Sequence, residues 1–358
     1  MALQWMDEFN TYGAGLSGVT AALQGTPYAA IWPNSTTQFP ADPDPLATGR
    51  VFRVGAQNVN SNTADTRISL PTPGTNIGIG CRRWYGALPA SSGFRPVVFS
   101  YRDAGNNKVY ELQVELNGAL SIYNGANVQL ATTTAPVITG GAWYHIAMRI
   151  NTVTGTVKVQ VEGNNIAALT SYTFTPTSAL FYFIGMSSRQ DFNSDFSPNH
   201  YMKDLTIWDG SGSQNNDMVG TVGVYRLSLA SDVSSGWTRS SGSTDYGLLN
   251  ETGPDDASLI SAGSALPAAS IMGISSLPAA IVGIRGIMPL IRLQKSDAGD
   301  CSIVDSIVSG ASTANGATKT VLTSFAYYYD IIELDPATAA LWTPTAVNAA
   351  KVKINRTV

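Results

Sequence analysis

The sequence predicts an all-β protein of two domains. No apolar 3.6-residue pattern persists through three helical turns, whereas short alternating runs rich in Val, Ile, Tyr and Thr recur along the chain. Clusters of Gly, Asn, Pro and Ser separate these runs, as turns between short strands require. The 358 residues exceed one comfortable core, which makes two domains the natural division.

Taken in order, the strand candidates of the first part are "RVFRV" (50–54), "NIGIGCRRWYG" (76–86), "FRPVVFSYRD" (94–103), "KVYELQVELNG" (108–118), "WYHIAMRIN" (143–151) and "GTVKVQVEGN" (155–164). Several adjoin at hairpin spacing. The Asp, Gly and Asn residues of "YRDAGNNKVY" suit a tight connection, and Gly155 falls where a turn needs positive φ, so antiparallel meanders are expected. Val157, Val159 and Val161 alternate with Lys158, Gln160 and Glu162, the pattern of a sheet covered on one face. Two such sheets stacked make a sandwich.

Composition shifts after Asp209. "GSGSQNND" (210–217) reads as a joint between residues 1–209 and 218–358, and 234–264 is nearly unbroken loop chemistry. Strand character returns in "MVGTVGVYRLSL" (218–229), "IRGIMPLIRLQ" (284–294), "CSIVDSIVSG" (301–310), "TKTVLTSFAYYYDIIEL" (318–334) and "AVNAAKVKIN" (346–355), enough for a second, smaller β-sandwich. The stretch "NHYMKDLTIWDGSGSQNND" (199–217), with His200 and three aspartates, reads as a closing strand running into the joint: Leu205 and Ile207 point one way, Asp204, Thr206 and Trp208 the other.

Charged residues make up 13% of the chain and the net charge is −4, so the 21 Lys and Arg gather no basic patch and nucleic acid is not an expected partner. Cys81 and Cys301 lie outside any C-x-x-C spacing and are expected as buried free thiols. The opening "MALQWMDEFNTYG" lacks a basic n-region followed by an apolar run, so no signal peptide is expected. Pro267, Pro278, Pro289, Arg285 and Arg292 argue against a spanning helix in the hydrophobic insert 265–293.

The series "NGALSIYNG", "GAWYHIAMRINTVTGTVKVQVEGN" and "YMKDLTIWD" resembles the laminin-G/concanavalin-like jelly roll over roughly residues 1–209. An opening "WMDEFNTYG", a joint "IWDGSGSQNNDMVGTVGVYRL" and an ending "SFAYYYDIIELDPATAALWTPTAVNAAKVKIN" further resemble a family of tailed-bacteriophage virion structural proteins. The D-P-x-T-x-x-x-W-T segment (335–343) is among its most distinctive features; Asp7-Glu8-Phe9, in place of Asp-Gly-Phe, departs from the pattern. The resemblance implies an N-terminal concanavalin-like jelly-roll sandwich followed by a smaller C-terminal β-sandwich. It also implies a non-enzymatic component of a phage particle (head or tail decoration, fibre or tail tip), made in the host cytoplasm. Other virion proteins and further copies of the chain would be its partners.

Chemistry offers few candidates. Glycoside hydrolysis needs two carboxylates about 5 to 9.5 Å apart. Glu111 and Glu115 share a strand face but stand roughly 13 Å apart at about 3.3 Å per residue, and are expected to face solvent. His145, on a face with Arg149, is expected as a surface or hydrogen-bonded strand histidine, and no catalytic residue is assigned. Binding is more promising in "SSRQDFNSDFSPNHY" (187–201): Phe192, Phe196 and Tyr201 could stack on a host surface glycan, with Asp191, Asn193 and Asp195 as polar contacts. The same oxygens could hold Ca²⁺, although the complete calcium-loop pattern is absent, so no cofactor is assigned. Ile281, Ile284, Ile287 and Met288 in the insert, with Tyr327, Tyr328 and Tyr329, are candidates for an assembly interface.

Overall fold

In the computed structural model, residues 2–9, 26, 28–30, 51–54, 64–88, 94–190, 200–250, 256–263 and 265–358 are described. In chain order the strands of the N-terminal unit, which ends at Val224, are β1 (Leu3–Asp7), β2 (Tyr28–Ala30), β3 (Phe52–Val54), β4 (Ala64–Gly74), β5 (Asn76–Tyr85), β6 (Phe94–Arg102) and β7 (Lys108–Val114). They continue with β8 (Leu120–Asn124), β9 (Gln129–Thr132), β10 (Ala142–Asn151), β11 (Thr156–Val161), β12 (Asn164–Asn165), β13 (Phe181–Gln190) and β14 (His200–Asp209); a single helical turn, α1, spans Ala167–Thr170.

Two seven-stranded antiparallel sheets result. One has the order β1-β14-β5-β10-β11-β12, with β3 also on β14; the other runs β2-β4-β13-β6-β7-β8-β9. Alternation explains the packing between them. Ile77, Ile79, Cys81 and Tyr85 of β5 and Ile146, Met148 and Ile150 of β10 are fully buried on one face. From the other sheet Tyr101 donates its hydroxyl to the Met148 carbonyl at 2.6 Å, satisfying a phenol whose pKa burial raises well above its usual value. The valines of β11 are buried while Lys158 and Gln160 are partly exposed, as their alternation predicts.

Turn chemistry sets the hairpins. Between β10 and β11 the Asn151 side chain accepts the backbone N–H groups of Val153 and Thr154, and Gly155 has φ +65 with the Phe174 carbonyl 2.0 Å from where a Cβ would stand. Only glycine fits there. Between β6 and β7 the Asp103 carboxylate accepts Asn107 N–H at 2.8 Å.

Strand β14 carries a one-residue bulge. Lys203 pairs with Arg82 and Thr206 with Gly80, so three steps on β14 match two on β5, and Asp204 takes up the excess at φ 56. Leu205 and Ile207 point into the core as expected, but Thr206 and Trp208, on the opposite face, are buried too.

Three expectations are corrected. Glu111 is 4% exposed, because β7 is an interior strand covered on both faces; its carboxylate accepts Lys108 Nζ at 3.0 Å and Gln113 Nε2 at 2.7 Å. Leu116, which strand alternation would place inside with Leu112 and Val114, is exposed beyond the end of β7. Cys81 is buried, and burial pushes its thiol up to about 12, but Cys301 is only half-buried.

The C-terminal unit runs from Tyr225 to Val358. Its strands are β15 (Leu229–Ser234), β16 (Thr238–Arg239), β17 (Ile260–Ser261), β18 (Ala268–Ile274), β19 (Leu290–Leu293), β20 (Ser302–Ser309), β21 (Ser312–Asn315), β22 (Lys319–Thr320), β23 (Ala326–Tyr329) and β24 (Lys351–Arg356). Two short helices are α2 (Asp245–Leu249) and α3 (Pro344–Ala349). A six-stranded sheet, β15-β18-β24-β20-β21 with β22 on β20, is accompanied by the pairs β16-β17 and β19-β23. One core gathers Trp237, Met272 and Ile354, the other Ile307, Trp342 and Val347.

The D-P-x-T-x-x-x-W-T segment has a structural explanation. Asp335 accepts Ala337 N–H and the Thr338 hydroxyl, closing a turn; Trp342 Nε1 donates to the Ile332 carbonyl at 3.0 Å from within the core; Thr343 caps α3 by accepting Ala346 N–H at 3.1 Å, ahead of Pro344 in the first turn. Each signature residue thus fixes one change of chain direction.

Candidate functional site

On the outward face of the first sheet the antiparallel register lines up aromatic residues from three strands. Tyr201 of β14 lies opposite Trp84 of β5, which lies opposite Trp143 of β10. Directly paired residues share a face, so the three rings form one row. The two indoles have centroids 5.8 Å apart at 58°, and all three side chains are partly exposed.

The next row inward is Lys203, Arg82 and His145. Lys203 Nζ lies 4.3 Å from the centre of the Trp143 ring, a cation–π contact, and Arg82 Nε lies 3.5 Å from Asp204 Oδ2. The bulge brings Asp204 to this position. Aromatic surface and hydrogen-bonding cations therefore adjoin on a partly exposed patch.

The rest of the face is roofed by chain following β14. Asp217 accepts Arg149 Nη1 at 2.7 Å and Lys158 Nζ at 2.6 Å; Val222 N–H approaches His145 Nε2 at 3.5 Å; Val224 N–H donates to Asp204 Oδ1 at 2.9 Å. Burial opposes ionisation of Asp217, yet the Lys158 hydrogen bond, the Met218 N–H and both cations hold its carboxyl below the usual range. The contacts reach the His145 row and leave the aromatic row beyond them partly open. Beneath the roof Trp208 lies against Gly78, where a Cβ would come within 2.1 Å of the indole.

Of its two expected placements, surface or hydrogen-bonded in a strand, His145 takes the second: it is fully buried, and burial followed by the Arg82 charge lowers its pKa to about 4. His200 points between the sheets, where its ring meets Tyr85 edge-on at 5.1 Å. Burial and then the Arg83 guanidinium lower it to about 3. Arg83 is itself fully buried and donates Nη2 to the Val97 carbonyl at 3.1 Å.

Of the proposed ligand-binding residues, Tyr201 belongs to the aromatic row. Asp191, Phe192, Asn193, Asp195 and Phe196 lie outside the described residues, as does the Ca²⁺ reading that rested on them. Among the described residues no group of three His, Cys, Asp or Glu side chains could hold a metal ion, and no helix is long and apolar enough to cross a membrane. Trp84 and Trp143 were missed as a pair because 59 residues separate them; the signal was present in each strand, where a tryptophan stands on the polar side of the alternation.

The interface candidates divide. Tyr327 is 4% exposed with the Arg292 guanidinium 5.3 Å from its ring, so it is interior and not available to a partner. Ile284 and Ile287 pack against the core of Ile307 and Trp342, and Ile287 exchanges both backbone hydrogen bonds with Ile332. Ile281, Met288, Tyr328 and Tyr329 are partly exposed; Tyr328 accepts Leu322 N–H, and burial then the Asp330 charge push Tyr329 up to about 12. Next to Ile281, Val282 is 92% exposed.

The fold is a two-sheet antiparallel β-sandwich followed by a smaller β domain. No protein-family model and no curated protein matches the chain. Among solved structures it is similar to the alginate lyase AlgAT5 of polysaccharide lyase family 7, at 15% identity and TM-score 0.37 over 55% of this chain and 94% of that one. It is also similar to the carbohydrate binding module CBM66 from Bacillus subtilis, at 12% identity and TM-score 0.34 over 52% and 97%. The carbohydrate recognition domain of Emp46p in its potassium-bound form matches at 10% identity and TM-score 0.34 over 48% and 88%.

Proposed function

We propose that the chain is a non-enzymatic structural component of a bacteriophage particle whose jelly roll binds glycans of the host surface through the Trp84–Trp143–Tyr201 row. The row carries the reading: sugars present apolar ring faces that stack on aromatic side chains, and Arg82 and Lys203 beside it offer N–H donors to their hydroxyl or acidic groups. Many copies on one particle would make a weak single contact sufficient for adsorption. The particle role is supported by the resemblance carried in the joint and in residues 335–343, and assembly would involve the C-terminal unit and other virion proteins. The non-enzymatic reading is supported by the candidate acids and bases being occupied: Glu111 by Lys108 and Gln113, Glu115 by the Tyr123 hydroxyl, His145 by the roof.

The test is a glycan array probed with multivalently displayed full chain. Binding should fall by at least about tenfold, ~1.4 kcal/mol, in Trp84→Ala and in Trp143→Ala, and persist in the Glu111→Gln/Glu115→Gln double variant. A blank array, or full binding by both tryptophan variants, refutes the site. Absence of the chain from purified particles refutes the particle role.

A further inference from the structure

The C-terminal unit holds a lysine between two carboxylates. Lys319 of β22 pairs with Ile303 of β20, and Asp305, two residues along β20, projects from the same face. Asp330 arrives from the end of β23, in a different sheet. Lys319 Nζ lies 2.5 Å from Asp305 Oδ1 and in still closer contact with Asp330 Oδ2. The Asp330 carboxylate accepts Ala317 N–H at 2.9 Å, and a Cβ at residue 316 would fall 1.9 Å from Asp330 Oδ2, so a larger residue there would displace the carboxylate.

An ordinary ion pair accounts poorly for this arrangement. One ammonium cannot neutralise two carboxylates, and Asp305 is fully buried with Oδ2 making no hydrogen bond. A buried carboxylate oxygen left unpaired loses its hydration without compensation. Burial pushes the Asp305 carboxyl above its usual pKa against the Lys319 hydrogen bond and charge that hold it down, with the Asp330 carboxylate adding to the rise. With a proton on Asp305 the three groups would balance in charge, and a neutral acid would stand beside the lysine and a second carboxyl group.

We propose that Lys319 and Asp330 condense to an intramolecular isopeptide bond, with Asp305 as the catalytic acid. The Lys319 ammonium passes a proton to the Asp330 carboxylate across their contact, leaving a free amine and a carboxylic acid. Neutral Asp305 hydrogen-bonds to the Asp330 carboxyl group as the Nζ lone pair attacks Cγ, forming the C–N bond. Asp305 gives its proton to the departing hydroxyl and regains one from nitrogen. The Cγ–O bond breaks, one water leaves, and Asp305 ends as it began. No oxidant, metal or co-substrate is consumed. The product covalently joins β22 of the six-stranded sheet to the end of β23.

The experiment is intact-mass measurement of the purified full chain, followed by peptide mapping. The native chain should weigh one water less than its sequence, trypsin should fail to cut after Lys319, and a branched peptide should join Lys319 to Asp330. Lys319→Arg, which keeps the charge, should restore the full mass, as should Asp305→Ala. Asp330→Asn should still cross-link, losing ammonia in place of water and reaching the native product's mass. A native chain of full mass with unmodified Lys319 overturns the proposal whatever the variants do. So does a water deficit that maps elsewhere, including to Asp305.

Discussion

Acid should weaken the jelly roll through the only two histidines of the chain. Burial holds His145 down to about 4 and His200 to about 3, with Arg82 and Arg83 adding to the respective effects. Both values lie below the ordinary 6.5, so at neutral pH the rings are uncharged in folded and unfolded chains alike and stability is at its full value. Below 6.5 the unfolded chain takes up protons that the folded chain refuses, and stability is lost progressively down to about pH 4 for His145 and about pH 3 for His200. At pH 5.5 an unfolded histidine gains about 1.4 kcal/mol from protonation, so the two together cost about 3 kcal/mol relative to pH 7.5. Carboxylates whose pKa the fold lowers, such as Asp217 and Asp232, act at more acid pH and leave this window to the histidines. Imidazole ¹³C shifts of histidine-labelled chain should stay flat from pH 7.5 to 5, and the urea midpoint of the N-terminal unit should drop over the same range. A folded-state titration near 6.5 for either ring, or an unchanged midpoint, would refute the burial argument.

Gly78→Ala should destabilise the N-terminal unit by about 1–3 kcal/mol, since the new methyl meets the fully buried Trp208 indole; an unchanged melting temperature would contradict the packing described. Asp232→Ala should cost roughly 1–3 kcal/mol, because its carboxylate accepts the N–H groups of Asp245 and Tyr246 and pairs with Arg239; amide exchange at 245 and 246 should accelerate, and protection equal to the native chain's would rule this out. Asp217→Ala should cost less than about 1 kcal/mol, its side chain being 54% exposed, and the loss should shrink further in high salt when followed by urea unfolding.

Alternation made much of the fold legible. The valines of β11 and the apolar residues of β10 could be assigned to the core because a strand repeats every two residues. What covers the opposite face is not written in the strand itself. Glu111 was expected to face solvent and is buried, and His145, for which surface and hydrogen-bonded placements were both open, lies beneath a segment more than 70 residues downstream. The aromatic row was equally hidden, because only the register of β14, β5 and β10 brings Tyr201, Trp84 and Trp143 together. Lys319, Asp305 and Asp330 come from separate strands, and nothing in their spacing announces a shared site. By contrast, Asp335 and Thr343 act within three residues of themselves and Trp342 within ten, and local sequence marked them well.

The bulge at Asp204 makes β14 a strand of two phases. Before it, odd-numbered residues such as Tyr201 and Lys203 face outward while His200 and Met202 are interior; after it, even-numbered Thr206 and Trp208 face outward while Leu205 and Ile207 are interior. A single-residue deletion here would not merely shorten the strand. Deleting Asp204 would remove the bulge: Lys203 would stay opposite Arg82, Leu205 would take the place opposite Cys81, and Tyr201 and Lys203 would keep facing outward in a regular alternation. What the extra residue supplies is therefore the Asp204 carboxylate itself, which reaches Arg82 and the Val224 N–H, and not the facing of either half of the strand.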